Sequence, residues 1–231
     1  MINIGTTDFY LDVPSLPVEE FESYSSRLFD DWEVYVGDVL KLPDYYLALD
    51  VQEGSISAKS KILVGAAGIC TFLASYGSIS SGAKSLYSDI QAAGNFLGVT
   101  AAAPFPEANS KPKIRNRGEA LTKLQSLFVR VANGSLTPDE ATILARNIFG
   151  EDVPDFMQQL QESLENTPSQ MSLPIEDTEM ELNVTSSSDK DPDRKPATPK
   201  ERIPVIRPDQ YRVEIWRESK RSERNIRVRK I

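Results

Sequence analysis

The chain has 231 residues, 40% of them apolar, and a net charge of −8 from 26 basic and 34 acidic side chains; it can build a core, and it is too acidic overall for a generic cationic nucleic-acid or membrane binder. It holds no histidine, which removes the usual neutral-pH acid–base group, the serine-triad base and the commonest metal ligand. Its single cysteine, Cys70, excludes an intrachain disulfide and every multi-cysteine metal pattern, so no cofactor and no metal are expected.

Charge divides the chain. Residues 1–57 carry 12 acids against Arg27 and Lys41, 151–193 carry 12 acids against Lys190, and 194–231 carry 13 basic residues against 5 acids. Acidic and basic blocks in one chain can neutralise each other, or the basic end can reach an acidic partner.

The opening sequence MINIGTTDFYLDVPSL lacks the basic start and apolar run of a signal peptide, so a cytoplasmic protein is expected. Phe9, Leu11 and Val13 alternate as on a strand, and Pro14 and Pro17 end it. The helix VEEFESYSSRLFDDW follows, with Phe21, Tyr24 and Leu28 on one face. EVYVGDVLKL and YYLALDVQ are β-rich in composition and flank a Pro43-Asp44 turn. Residues 1–57 therefore read as an acidic β-α-β-β module.

Residues 62–83 contain no charge, a length that spans a bilayer as a helix. At heptad spacing Ile62, Ile69, Tyr76, Ala83, Ile90 and Leu97 form one seam, with Gly65, Phe72, Ile79, Leu86 and Ala93 between them. Thr71, Ser78, Ser81, Lys84, Ser85, Ser88, Gln91 and Asn95 supply an opposite polar face. Residues 58–99 are thus expected as one long small-residue helix, or as a helical hairpin broken near Gly77 and Gly82, where helix propensity is poor. Its seam can be core, a partner-binding surface at Gly65, Ile69, Phe72, Tyr76 and Ile79, or a membrane-packing face.

Residues 100–117 hold three prolines and read as a linker. Residues 118–165 form a helical unit: Leu121, Leu124, Leu127, Phe128 and Val131 recur at helical spacing, Thr137, Pro138 and Glu140 make a capping box, and Asp152 can cap a last helix carrying Phe156, Leu160 and Leu164. Residues 166–204 are rich in Ser, Thr, Pro and charge and are expected as a disordered acidic linker. In 205–231, Tyr211, Val213 and Ile215 alternate, as do Ile226 and Val228 after a polar KRSER turn, so a basic β-hairpin is expected, docked on the N-terminal sheet.

Catalytic patterns fail individually. Gly77, Gly82, Lys84 and Ser85 miss the phosphate-loop spacing by one residue, because Ala83 separates glycine from lysine. Asp44, Asp50 and Glu53 could hold a nuclease Mg²⁺ near Lys59 and Lys61, yet the Glu-x-Lys pair is absent. Asp30, Asp31 and Glu33 lack the glycine pivot of a calcium loop and read as an exposed helix end. Cys70 has no nearby cation and reads as a buried, inert thiol.

The overall expectation is an α+β, non-enzymatic assembly subunit. It binds a protein partner or a second copy through the 62–97 helix and through the basic hairpin at Arg212, Trp216, Arg217, Arg221, Arg224, Arg227 and Arg229. Arginines interleaved with Tyr211 and Trp216 also suit nucleic acid. The alternatives are an effector whose 62–83 helix inserts and oligomerises in a membrane and, second, a metal-dependent nuclease.

Overall fold

The computed structural model describes residues 1–76, 78–106, 111–150, 153–168 and 210–231. They belong to one unit, Met1–Gln170 with Asp209–Ile231, while a second unit, Met171–Pro208, lies outside the described residues. The acidic linker expected at 166–204 falls outside them as well, apart from its first three residues.

Strand β1 (Ile2–Leu11) is followed by helix α1 (Val18–Val39), β2 (Tyr46–Gln52) and β3 (Ile56–Val64). The N-terminal β-α-β-β order is therefore present and YYLALDVQ is a strand as expected, but EVYVGDVLKL is not one, and the remaining strand is 56–64. EVYVGDVLKL, expected as a strand, mostly continues α1, because its apolar positions keep helical spacing: Val36 follows Trp32 by four, and both are buried. Tyr35 lies on the adjoining face, its ring stacked 4.1 Å from that of Phe96. Local β propensity yields here to tertiary packing. Asp30, Asp31 and Glu33 consequently sit inside the helix rather than at its end.

The expected cut between 57 and 58 runs through β3. Ile56, Ala58, Ser60, Ile62 and Val64 are buried while Ser57, Lys59 and Lys61 are exposed, a period of two that belongs to a strand covered on one face. The uncharged stretch 62–83 is thus divided between the end of β3, helix α2 (Ala66–Ala74) and the start of α3 (Ile79–Ala102). The single-helix form does not occur; the break falls at 75–78, while Ser80, Ser81 and Gly82, expected at the break, lie within α3. Ser78 caps α3 by accepting a hydrogen bond from the Ser81 amide at 3.2 Å.

Residues expected as a linker hold the end of α3 and strand β4 (Lys113–Arg117), which pairs with β1. The helical unit is α4 (Glu119–Ala132), α5 (Pro138–Phe149) and α6 (Pro154–Glu165). The Thr137–Glu140 capping box forms, with the Thr137 amide donating to Glu140 Oε2 at 2.9 Å and the Glu140 amide donating to Thr137 Oγ1 at 3.3 Å. Asp152, the cap expected for α6, lies outside the described residues, and Val153 occupies the cap position.

The chain closes with β5 (Tyr211–Arg217) and β6 (Arg224–Lys230). All six strands form one antiparallel sheet in the order β4-β1-β3-β2-β5-β6. The hairpin docks on the N-terminal sheet through β5 and β2, with Val213 and Ile215 buried. Helices line one face of the sheet, where Leu47, Leu49, Val51, Ile56, Ala58, Ile62 and Val213 join the core.

Helix α3 approaches that face closely because glycine stands at the crossing. A methyl at Gly94 would overlap Thr7 Oγ1 and Asn116 Oδ1, and one at Gly98 would overlap Ile114. The small-residue surface of this helix therefore serves its own sheet. Ile90, Ala93, Leu97 and Ala101 are buried beside those glycines.

Candidate functional site

Alternation places a second set of side chains on the sheet face opposite the helices, where all but the buried Thr6 reach solvent at least in part. Register aligns them in cross-strand rows. One row runs Lys113, Tyr10, Ser57, Gln52, Arg212, Arg229; the next runs Arg115, Asp8, Lys59, Asp50, Glu214, Arg227; the third holds Arg117, Thr6, Lys61, Ala48, Trp216 and Asn225. These rows contain eight lysines and arginines against three acids, an excess of positive charge in a chain whose net charge is −8.

The acids lie in the middle row, so the face is a mixed lattice and not a uniform cationic strip. Arg212 Nε stands 3.4 Å from Asp50 Oδ1 and Arg229 Nε 3.7 Å from Glu214 Oε2, while Arg117 pairs with Asp8. The Arg212–Asp50 contact is electrostatic: neither of those two atoms has a hydrogen-bond partner among the described residues. Burial pushes the Asp50 carboxyl above its ordinary range, against the opposing pull of Arg212. Exposed pairs of this kind contribute about 0–1 kcal/mol each to stability. Their larger effect is to break the positive charge of the face into separate patches.

Ala48, small and central, leaves a hollow of about 460 Å³ bordered by Tyr46, Asp50, Lys59, Lys61, Trp216 and Arg227. The Arg227 guanidinium lies 5.6 Å from the centre of the Trp216 ring, which holds the ring as an aromatic wall beside cations.

The arginines expected on the hairpin separate into two groups. Arg212, Arg227 and Arg229, with Trp216, belong to the open face. Arg217 and Arg224 lie on the helix side and pair with Glu33 and Asp30 of α1, so part of the expected internal charge pairing is realised there. Arg221 is exposed in the turn. That turn is anchored by Lys220, whose amide donates to Asp44 Oδ1 at 2.8 Å and whose ammonium lies 4.8 Å from the Tyr45 ring centre.

On the helical side, Ile69 and Ile79 are buried in the chain's own core, so a partner could reach them only by displacing α2 or α3. Gly65 is exposed, and Phe72 and Tyr76 are half-buried with their rings 5.2 Å apart. Among the described residues, no helix is long and apolar enough to cross a membrane. Lys59, Lys61, Lys113, Arg115 and Arg117 are the positions of the basic face that sequence reasoning missed. Their signal, alternating cations in short strands, lay in segments read as a helix start and as a linker.

The nuclease carboxylates do not converge. Asp50 points to the open face, whereas Glu53 is buried at the hairpin loop and accepts the Tyr211 amide at 3.2 Å. Among the described residues, no three acidic or cysteine side chains gather in a group that could hold a metal ion.

Burial pushes the Cys70 thiol up to about 12, so it is protonated at neutral pH. Tyr45 is likewise raised to about 12, by burial first and by Glu33 next, and burial raises Tyr24, whose hydroxyl donates to the Ala101 carbonyl at 2.9 Å. All three hold their protons more tightly folded than unfolded, so their contribution is intact below the ordinary thiol range and declines as pH climbs from about 8.5 towards 12. The melting temperature is therefore expected to fall across that alkaline interval; a flat profile would contradict the burial of these groups.

No family model, curated protein or solved structure matches this chain.

Proposed function

We propose that this protein is a non-enzymatic binding subunit that recognises an acidic protein partner through the C-terminal hairpin and the open sheet face, with the surface around Gly65, Phe72 and Tyr76 as a second contact. The observation that carries the reading is the eight-to-three excess of cations over acids on the sheet face opposite the helices. Complementary charge of this kind accelerates and orients encounter with a negative surface. A protein suits the face better than a phosphate chain, because Asp8, Asp50 and Glu214 interrupt the cations, and carboxylates on flexible side chains can seat on the separate cations where a phosphate backbone carries charge at every step.

Titration with poly-L-glutamate at low ionic strength tests the proposal. Binding is expected, weakening as salt rises, and the double charge reversal Arg227→Glu/Arg229→Glu is expected to weaken it about tenfold or more. Both residues are exposed, so losing the Arg229–Glu214 pair and the Arg227–Trp216 contact is expected to cost only about 1 kcal/mol, and thermal melting of the variant checks that it stays folded at the titration temperature. No binding, or binding that the reversal leaves unchanged, would refute the reading. A clear preference for single-stranded DNA over polyglutamate would replace the protein partner with nucleic acid.

A further inference from the structure

The outer edge of the sheet specifies how such a partner would dock. Strand β6 is the last in the order, and no described strand pairs with its far side. The Ile231 amide donates to the Gln210 carbonyl at 2.8 Å, which sets the phase of the β5–β6 ladder. Because bonded and non-bonded pairs alternate along an antiparallel ladder, Ile226 and Val228 turn their N–H and C=O groups away from β5.

The same two residues carry the only apolar side chains of β6, on its helix-side face, and remain 38% and 37% exposed. Helix α1 reaches this end of the sheet at the Asp30–Arg224 pair and leaves Ile226 and Val228 incompletely covered. On the opposite face of β6 stand Arg227 and Arg229. The strand contains four cations and no acid, so a second copy laid edge to edge would meet like charge.

We infer that β6 receives an extended acidic segment as a seventh, antiparallel strand, its apolar residues over Ile226 and Val228 and its acids beside Arg227 and Arg229. This rests on the acidic-partner reading and specifies its mode: main-chain hydrogen bonds hold the segment, and alternate side chains select it. A cationic edge is also the usual guard against sheet aggregation. What distinguishes a receptor edge is the exposed apolar pair beside the outward amides.

The test uses the full chain and a soluble decapeptide of alternating glutamate and valine, capped at both ends. In antiparallel register the valine amides oppose Ile226 and Val228 and make the ladder. N-methylation of the valines is expected to weaken binding about tenfold or more, N-methylation of the glutamates less than about threefold, and Ile226→Glu in the protein about tenfold. Equal affinities for the two methylated peptides, or an Ile226→Glu variant that binds like the parent, would overturn strand addition. If polyglutamate binding survives that result, only the docking mode is wrong; if polyglutamate and the decapeptide both fail to bind, the acidic-partner reading falls with it. Concentration-dependent dimerisation abolished by Ile226→Glu would likewise overturn the inference, in favour of a second copy.

Discussion

A chain lacking residues 210–231 is expected to lose cooperative folding and to aggregate. The truncation removes β5, which lies inside the sheet between β2 and β6. Val213 and Ile215, 0% and 1% exposed, leave the core, and each such side chain is worth about 1.5–3 kcal/mol. The β2 edge is laid bare at the same time, together with Leu47, Leu49 and Val51. Glu33 and Asp30 lose Arg217 and Arg224. Against a total stability of about 5–15 kcal/mol, these losses together approach the whole margin. Circular dichroism melting and size-exclusion chromatography read the result. A monomeric truncated protein with an unchanged melting temperature would show that the hairpin is an appendage. Removing β6 alone should matter far less, because all seven of its residues are exposed.

The second large effect is expected at Gly94. Here α3 crosses the sheet over Thr7 and Asn116, where Thr7 Oγ1 donates to Asn116 Oδ1 at 2.8 Å and Asn116 Nδ2 donates to Asn95 Oδ1 at 2.9 Å. Valine at position 94 would place atoms on both oxygens. The helix must then lift or the network must open. Overpacking alone costs about 1–3 kcal/mol, and leaving buried Thr7 without its partner adds about 1–3. A loss near 3 kcal/mol is expected, which for a chain of this size lowers the melting temperature by roughly 6–12 °C. Chemical denaturation with unchanged slope and a lower midpoint would register it. A midpoint within error of the parent would mean that this crossing is looser than the packing requires. The substitution also separates two roles for the small-residue face: one used only for a partner would leave the isolated chain's stability unchanged.

Local rules carried the reading where each element was specified by its own residues. The Thr137–Glu140 box, the fourfold spacing of Phe156, Leu160 and Leu164, and the alternation of Tyr211, Val213 and Ile215 all appear as expected. They are short-range signals, and nothing distant contradicts them. The α+β class follows from their sum.

Elsewhere two periods compete in one segment. In 33–39 a β-rich composition overlay a helical spacing, and Val36 and Tyr35 found partners only because α3 and the core lie beside them. In 56–64 strand alternation ran into an uncharged stretch whose heptad seam was the stronger pattern, so β3 was absorbed into a helix. The lysines at 59 and 61 then look like a helix margin instead of part of the basic sheet face. Within 113–117 the proline-rich surroundings hid five residues whose strand exists because β1 offers an edge.

By itself, then, the sequence determined the element types with clear local periodicity, the lack of histidine chemistry, and the opposition of an acidic front to a basic end. Which cations stand side by side follows from the strand order alone. The open face draws on 59–61, 113–117 and 212–229, segments separated by about fifty to a hundred residues, and they become neighbours solely through the strand order β4-β1-β3-β2-β5-β6. The physical reason is that side-chain direction in a strand is set by pleat and register, and register depends on a partner strand that no local window contains.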